Sequence, residues 1–293
     1  MTWQWFNLAF KLQGSVAPII LPRVLIFAGF ALVVSVFHYY EPQISLQVLG
    51  DLTNNVVFNL VLGLLLVFRT NTAYDRYWEG RKAWGTLVVN IRNLSRLMQI
   101  GIKSSEGEEQ QQKEQSIKFL TAFAIATKRH LRNEELNQDL EAILTEAEIE
   151  KLKNSQHVPL ELTLWLGDYL HQQVQSDRID TNYFVAMNSH LNALVEGLTS
   201  CERILKTPLP IAYCIYLKRL ILIYCIGLPF HLVIEIHWLT AIAVGLVSFI
   251  LLGVEQIGNE IENPFGHDFN DLPIDAICEG VTANVEQAIA FGK

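Results

Sequence analysis

Apolar residues gather into four runs along this chain, Val24–Tyr40, Leu52–Phe68, Leu220–Ile234 and Trp238–Val254, arranged as two close pairs. Each run holds roughly 16 residues and extends through aromatic or polar flanks toward the ~20 residues that a helix needs to cross a bilayer. Four membrane-spanning helices are therefore expected. The two short connections, Glu41–Asp51 and Glu235–His237, hold no Lys or Arg. Arg23 precedes the first run, Lys218 and Arg219 precede the third, and Arg69, Arg76, Arg81, Lys82, Arg92 and Arg96 follow the second. Because basic residues are retained on the cytoplasmic side, both termini and the long middle region are expected there.

The pattern changes between the pairs. From Arg69 to Arg219 no alternation of strand type is visible, and apolar positions recur at helical spacing. The second run is expected to continue as a long rod toward Ile100. Lys103–Gln115 reads as an exposed polar loop or a frayed helix start. Amphipathic helices follow over Ser116–Arg132 and Leu140–Lys153, then one from Pro159 toward His171. A long helix is expected over Thr181–Leu205, ended by Pro208 and Pro210. The resulting layout is a cytoplasmic N-terminal segment 1–22, two spans within 23–68 and a helical cytoplasmic region 69–219. Two further spans within 220–254 and a cytoplasmic segment 255–293 complete it.

Composition agrees with a membrane part joined to a sizeable polar part. Of 293 residues, 51% are hydrophobic and 18% charged, yet the mean hydropathy is only +0.24. A net charge of −8 and the lack of a basic, aromatic-interleaved patch exclude a nucleic-acid partner. Cys201, Cys214, Cys225 and Cys278 form no CxxC pair, so they read as small buried apolar residues and not as a disulfide framework or zinc site. No cleavable signal peptide is expected ahead of the first run. Glu260, Glu262, His267 and Asp268 lack the HExxH spacing of a metallohydrolase, and no catalytic constellation stands out.

The most informative segment is Leu52–Gly85, where LTNNVVFNLVLGLLLVF passes without a break into RTNTAYDRYWEGRKAWG. Leu60, Leu64 and Phe68 stand four apart and share one helix face. Asn54, Asn55 and Asn59 interrupt the apolar run, and a simple anchor would not need them. They either line the outer mouth of a pore or hydrogen-bond between helices. Thr53 and Val56 fall on the same stripe and are further outer-pore candidates. Tyr74, Arg76, Tyr77, Trp78, Arg81 and Trp84 form an aromatic-basic collar of the kind found at a membrane surface.

That collar motif, a second motif IENPFGHDFNDLPID over Ile261–Asp275, and the four-run layout together make the chain resemble the bestrophin family, in its bacterial-type branch. The resemblance runs from the first apolar run to Asp275. It implies an all-α membrane protein: a homopentamer around one central pore, the second spans ringing the axis and the middle region forming a cytoplasmic vestibule. Such a protein sits in lipid of a cell inner membrane or a thylakoid-type membrane and passes ions passively, chloride or other small anions first, without catalysis. Leu60, Leu64 and Phe68 match the positions of the family's hydrophobic neck. Val185 is placed at its cytoplasmic aperture, a core valine being the competing reading. The collar is assigned to packing between subunits.

Asn263, Asp268 and Asp271 fall where animal members hold calcium. Here the acidic run is broken by Phe269 and Asn270, and a structural turn with capping or arginine-paired carboxylates is the stronger reading. No cofactor is required. The family contains both anion and cation channels, so a sodium-selective pore is the first alternative. A non-conducting membrane scaffold or sensor is the second, and a carrier the third.

Overall fold

The computed structural model describes residues 2–41, 47–135 and 138–291. Helices follow one another through the described residues: α1 (Thr2–Ala9), α2 (Ala17–Tyr40), α3 (Gln47–Asn54), α4 (Val56–Gly101), α5 (Glu108–Arg132), α6 (Gln138–Glu141), α7 (Glu146–Lys153), α8 (Val158–Gln175), α9 (Thr181–Lys206), α10 (Ile211–Ile236), α11 (Thr240–Glu262) and α12 (Ile274–Ala290). Among the described residues three stretches are long and apolar enough to cross a membrane, Ala17–Tyr40, Val56–Gly101 and Ile211–Glu262. The last is divided by a 3-10 turn, His237–Leu239, entered through a left-handed His237 with φ of 47°.

The residues fall into two compact units. The first holds the chain up to Arg76, Pro208–Asn263 and Asp268–Asn270. The second holds Tyr77–Thr207, Pro264–His267 and the chain from Asp271. Helix α4 passes from one to the other at Arg76–Tyr77, and its 46 residues rise about 70 Å.

In the first unit α2 packs along α11 and against α10, and α10 packs against α3 and α11. Ile20 and Val24 of α2, Leu62 and Leu66 of α4, and Leu217, Leu220 and Ile221 of α10 form one buried apolar cluster. Helix α2 begins earlier than the apolar run suggested, because Pro18 stands in its first turn, where a missing N–H costs nothing. Close approach of α3 to α10 depends on Gly50: a Cβ there would lie 2.8 Å from the backbone nitrogen of His231. Residues 42–46 of the first short connection lie outside the described residues.

The second unit is a helical bundle. Trp84, Leu87, Ile91, Leu94 and Met98 of α4 are buried against Ile117, Leu120 and Phe123 of α5, Leu162, Leu166 and Leu170 of α8, Leu194 and Leu198 of α9, and Val281 and Val285 of α12. The expected amphipathic helix over Leu140–Lys153 is instead two, α6 and α7. Thr145 interrupts it with a capping box: its backbone N–H donates to Glu148 Oε2 at 2.7 Å and its Oγ1 accepts from Glu148 N. Helices α8 and α9 start where the sequence indicated, capped by His157 and Asp180. All four cysteines are free, and Cys201, Cys225 and Cys278 are buried. Burial pushes the Cys201 thiol up to about 12 and the Cys278 thiol up to about 11, so neither is a nucleophile at neutral pH.

Candidate pore segment

The expected span Leu52–Phe68 is not one helix. It breaks at Asn55, whose Oδ1 accepts the backbone N–H groups of Val57 at 2.9 Å and Phe58 at 3.2 Å. The side chain takes amides that have no intrahelical partner, which starts α4 one residue later. Asn59 Nδ2 donates to the Thr53 carbonyl at 3.0 Å, and Thr53 Oγ1 donates to the Gly50 carbonyl at 2.7 Å. The polar residues that interrupt the run therefore build the joint between α3 and α4. Thr53 and Asn54 belong to α3 and do not continue the stripe of Val56 and Leu60; Thr53 is itself buried. Asn54, Asn55, Val56 and Asn59 are exposed on the chain.

Below the joint, α4 has two unlike faces. Leu60, Leu64 and Phe68 are 60%, 47% and 59% exposed, whereas Leu62, Leu66 and Arg69 are at most 6% exposed. The first set is an apolar row that the described residues leave about half-exposed. The second is fixed in the core of the unit, and Phe58 on the same helix stacks on Tyr224 with ring centroids 6.0 Å apart. Tyr213 adds an anchor by donating its hydroxyl to the Leu65 carbonyl.

A polar network holds the lower end of this row, and sequence reasoning missed it. Arg69, the residue after Phe68, donates through Nη2 to Glu262 Oε2 at 2.6 Å and to Asn259 Oδ1 at 2.9 Å. Asn259 Nδ2 donates to Glu255 Oε1 at 2.7 Å, and Lys218 pairs with the same buried Glu255. Glu262 Oε1 accepts from Leu209 N at 2.8 Å, and its carbonyl accepts from Arg76 Nε at 3.0 Å. The signal lay in the charges that directly follow apolar runs, Arg69 after Phe68 and Glu255 after Val254. A buried ion holds its place only when paired and hydrogen-bonded, so each of these charges specifies its partner.

The NPFG motif is a turn that plugs a core. Phe265 is fully buried in the second unit, and Leu272 N donates back to the Pro264 carbonyl at 3.0 Å. Gly80 of α4 makes room for it, since a Cβ there would stand 2.8 Å from Pro264 Cγ. In the first unit Asn270 Nδ2 donates to Glu260 Oε2 at 2.8 Å and to the Gly14 carbonyl at 3.3 Å. The three residues weighed for calcium lie along this turn: Asn263 ends α11, Asp268 is exposed and Asp271 is half-buried. Carboxylate pairing with arginine does occur nearby, at Asp275, which accepts from Lys128 and Arg132 at 2.9 Å.

The collar residues part company. Trp84 is 1% exposed and belongs to the core of the second unit, so it is not available for packing between subunits. Trp78 and Tyr74 are exposed, and the Arg81 guanidinium lies 4.9 Å from the Trp78 ring centroid. Val185 on α9 is 63% exposed and is not a core valine of this chain.

The profile of the family described as "Bacterial/Fungal Bestrophin protein" matches residues 2–287. A voltage-dependent anion channel-forming protein of Nostoc sp. is 47% identical over 282 residues, which is 96% of this chain and 91% of the relative. One of the same description from Synechocystis sp. is 45% identical over 285 residues, 97% and 92% of the two chains. The crystal structure of a bacterial bestrophin homolog from Klebsiella pneumoniae superposes with a TM-score of 0.81 at 25% identity, covering 92% of this chain and 98% of that one. Similarity over nearly the full length in both sequence and fold leaves one conclusion: the chain belongs to the bacterial and fungal bestrophin family.

Proposed function

We propose that this protein is a passive, chloride-conducting anion channel in which five copies ring their α4 helices around one axis. Leu60, Leu64 and Phe68 are its hydrophobic neck. The observation that carries this reading is the bare apolar row on α4: its three members are about half-exposed while the opposite face is locked in place. The Nostoc and Synechocystis relatives, named as voltage-dependent anion channel-forming proteins, support the anion assignment. In this reading α2, α4, α10 and α11 are the four spans, the termini and the second unit are cytoplasmic, and the membrane is a cell inner membrane or an internal one of thylakoid type.

Rings of Leu and Phe offer water and ions no hydrogen-bond partner, so a narrow ring closes by dewetting and reopens on a small widening. A Phe edge carries partial positive charge and its face partial negative charge. Phe68 edges turned to the axis favour anions. Asn54, Asn55, Val56 and Asn59 lie toward the outer mouth, and exposed Val185 is kept as the cytoplasmic aperture. The turn carrying Asn263, Asp268 and Asp271 acts as a structural element, and the pore needs no cofactor.

The test is conduction of the purified protein in planar bilayers under a salt gradient. Single-channel steps with a reversal potential near that of chloride are expected, and replacing Leu60, Leu64 and Phe68 together by Ala should raise the conductance. A reversal potential near that of sodium would overturn the anion assignment. An unchanged current in the triple variant would move the neck elsewhere, and absence of any flux would leave a scaffold.

A further inference from the structure

A cluster in the second unit has the make-up of a transition-metal site and is independent of the conduction reading. His130 stands in the last turn of α5, His157 caps the start of α8, and Glu202 lies near the end of α9. The three side chains converge on one point. His130 Nε2 is 2.6 Å from Glu202 Oε1, and His157 Nε2 is 2.7 Å from the same oxygen. The two rings face each other with centroids 4.4 Å apart, and the three ligand atoms all lie within 4.8 Å of one another. Among the described residues this is the one group of three His, Cys, Asp or Glu side chains that does so.

We infer that His130, His157 and Glu202 form a binding site for a divalent transition metal of the zinc class, with the fourth position open to water.

The donor set selects the metal. Two imidazole nitrogens and one carboxylate oxygen suit Zn²⁺, Co²⁺ or Ni²⁺, whereas Ca²⁺ and Mg²⁺ take nearly all-oxygen shells. The surroundings suit an ion that arrives from solvent. The three side chains are 17–30% exposed, and a cleft of about 450 Å³ lined by Ala126, His130, Glu134, Lys153, Ser155 and Gln156 opens beside them. Lys206 Nζ stands 3.7 Å from Glu202 Oε2 and holds the carboxylate by its other oxygen, the outer support that ligating carboxylates use.

Without metal, two N–H donors share a single acceptor oxygen. His157 must carry its proton on Nε2, because its Nδ1 accepts the Leu160 N–H at 3.3 Å. On binding, the proton on each Nε2 passes to Nδ1 or to solvent, so that Nε2 is free to ligate. The cost is the Leu160 bond, which is long and exposed. The gain is a tie between α5, α8 and α9, made by three ligands that no single helix supplies.

The experiment uses the full-length protein in detergent, stripped with EDTA and titrated with ZnCl₂ by calorimetry and with CoCl₂ by visible absorption. One equivalent of metal per chain is expected, with the intense d–d absorption of tetrahedral Co²⁺ and a rise in melting temperature. His130→Gln and Glu202→Gln should each weaken binding by ~100-fold or more, since even outer-shell changes cost about 10–100-fold. His171→Ala, an exposed histidine elsewhere on α8, should leave it unchanged. His130→Gln keeps a polar group in place and separates loss of a ligand from loss of the fold, checked by circular dichroism. Unchanged affinity in both Gln variants, a weak octahedral Co²⁺ spectrum, or no binding to the wild type would overturn the assignment.

Discussion

Glu262→Ala should loosen the lower end of the α4 row more than any other single change near it. Arg69 is 1% exposed, and Nη2 carries its contacts to Glu262 and Asn259; Nη1 has no acceptor among the described residues. Removing the carboxylate leaves a buried guanidinium with one acceptor and also strands the Leu209 amide. Breaking a buried pair from one side costs about 3–5 kcal/mol. Glu262 is 18% exposed, which places the expected loss near the bottom of that range, about 3 kcal/mol. At ~2–3 °C per kcal/mol for a chain of this size, the melting temperature should fall by about 6–9 °C. Arg69→Met in the Glu262→Gln background removes both charges and returns an apolar stem to the core. That double variant should recover much of the loss, a coupling of about 2 kcal/mol. The assay is thermal melting of the detergent-solubilised protein followed by tryptophan fluorescence, with bilayer recording beside it. Because Arg69 follows Phe68, a freed α4 should also change open probability. A Glu262→Ala protein that melts within ~2 °C of wild type, or a double variant that loses the sum of the singles, would refute the reasoning.

Three further outcomes are expected. Asn55→Ala removes the cap on α4 and should cost about 1 kcal/mol in the same melting assay, with Asn55→Gly costing only a few tenths. Gly80→Ala drives a Cβ into Pro264 and Phe265 and should cost about 1–3 kcal/mol, whereas Gly85→Ala on the same helix meets nothing within 4 Å and should stabilise by up to ~1 kcal/mol. The Lys128 ammonium holds the Asp275 carboxyl below its ordinary value, with burial opposing it and the Arg132 guanidinium adding to the lowering. A depressed folded value stabilises the protein above the unfolded value of about 3.9 and loses that contribution as pH falls through the folded one. Asp275 is 60% exposed, so solvent screening limits the contribution to about 1 kcal/mol at pH 7. Asp275→Asn should show that loss at pH 7 and flatten the acid end of the stability profile.

Much of the chain was legible in advance because its elements follow from local rules. Helical periodicity and proline positions placed α8 and α9 closely, and the continuous run through Phe68 predicted the long α4. The four-residue spacing of Leu60, Leu64 and Phe68 marked a face that the fold leaves bare. The two motifs carried the family. Two local errors had local causes: Asn55 broke the run and capped α4, and Thr145 capped α7 as a helix separate from α6. In both places a side-chain oxygen competed with the backbone for amides, which an average over apolar positions cannot register.

What only the tertiary structure decided is pairing across long sequence distances. Arg69 with Glu262 is separated by 193 positions, and His130 with Glu202 by 72. The sequence by itself determines helices and their apolar faces, since these depend on neighbours within a few turns. It does not determine which buried charge meets which, or that two scattered histidines converge on one carboxylate. Those outcomes depend on how packed helices bring distant turns within hydrogen-bond range, and a buried charge accepts only the partner that packing delivers.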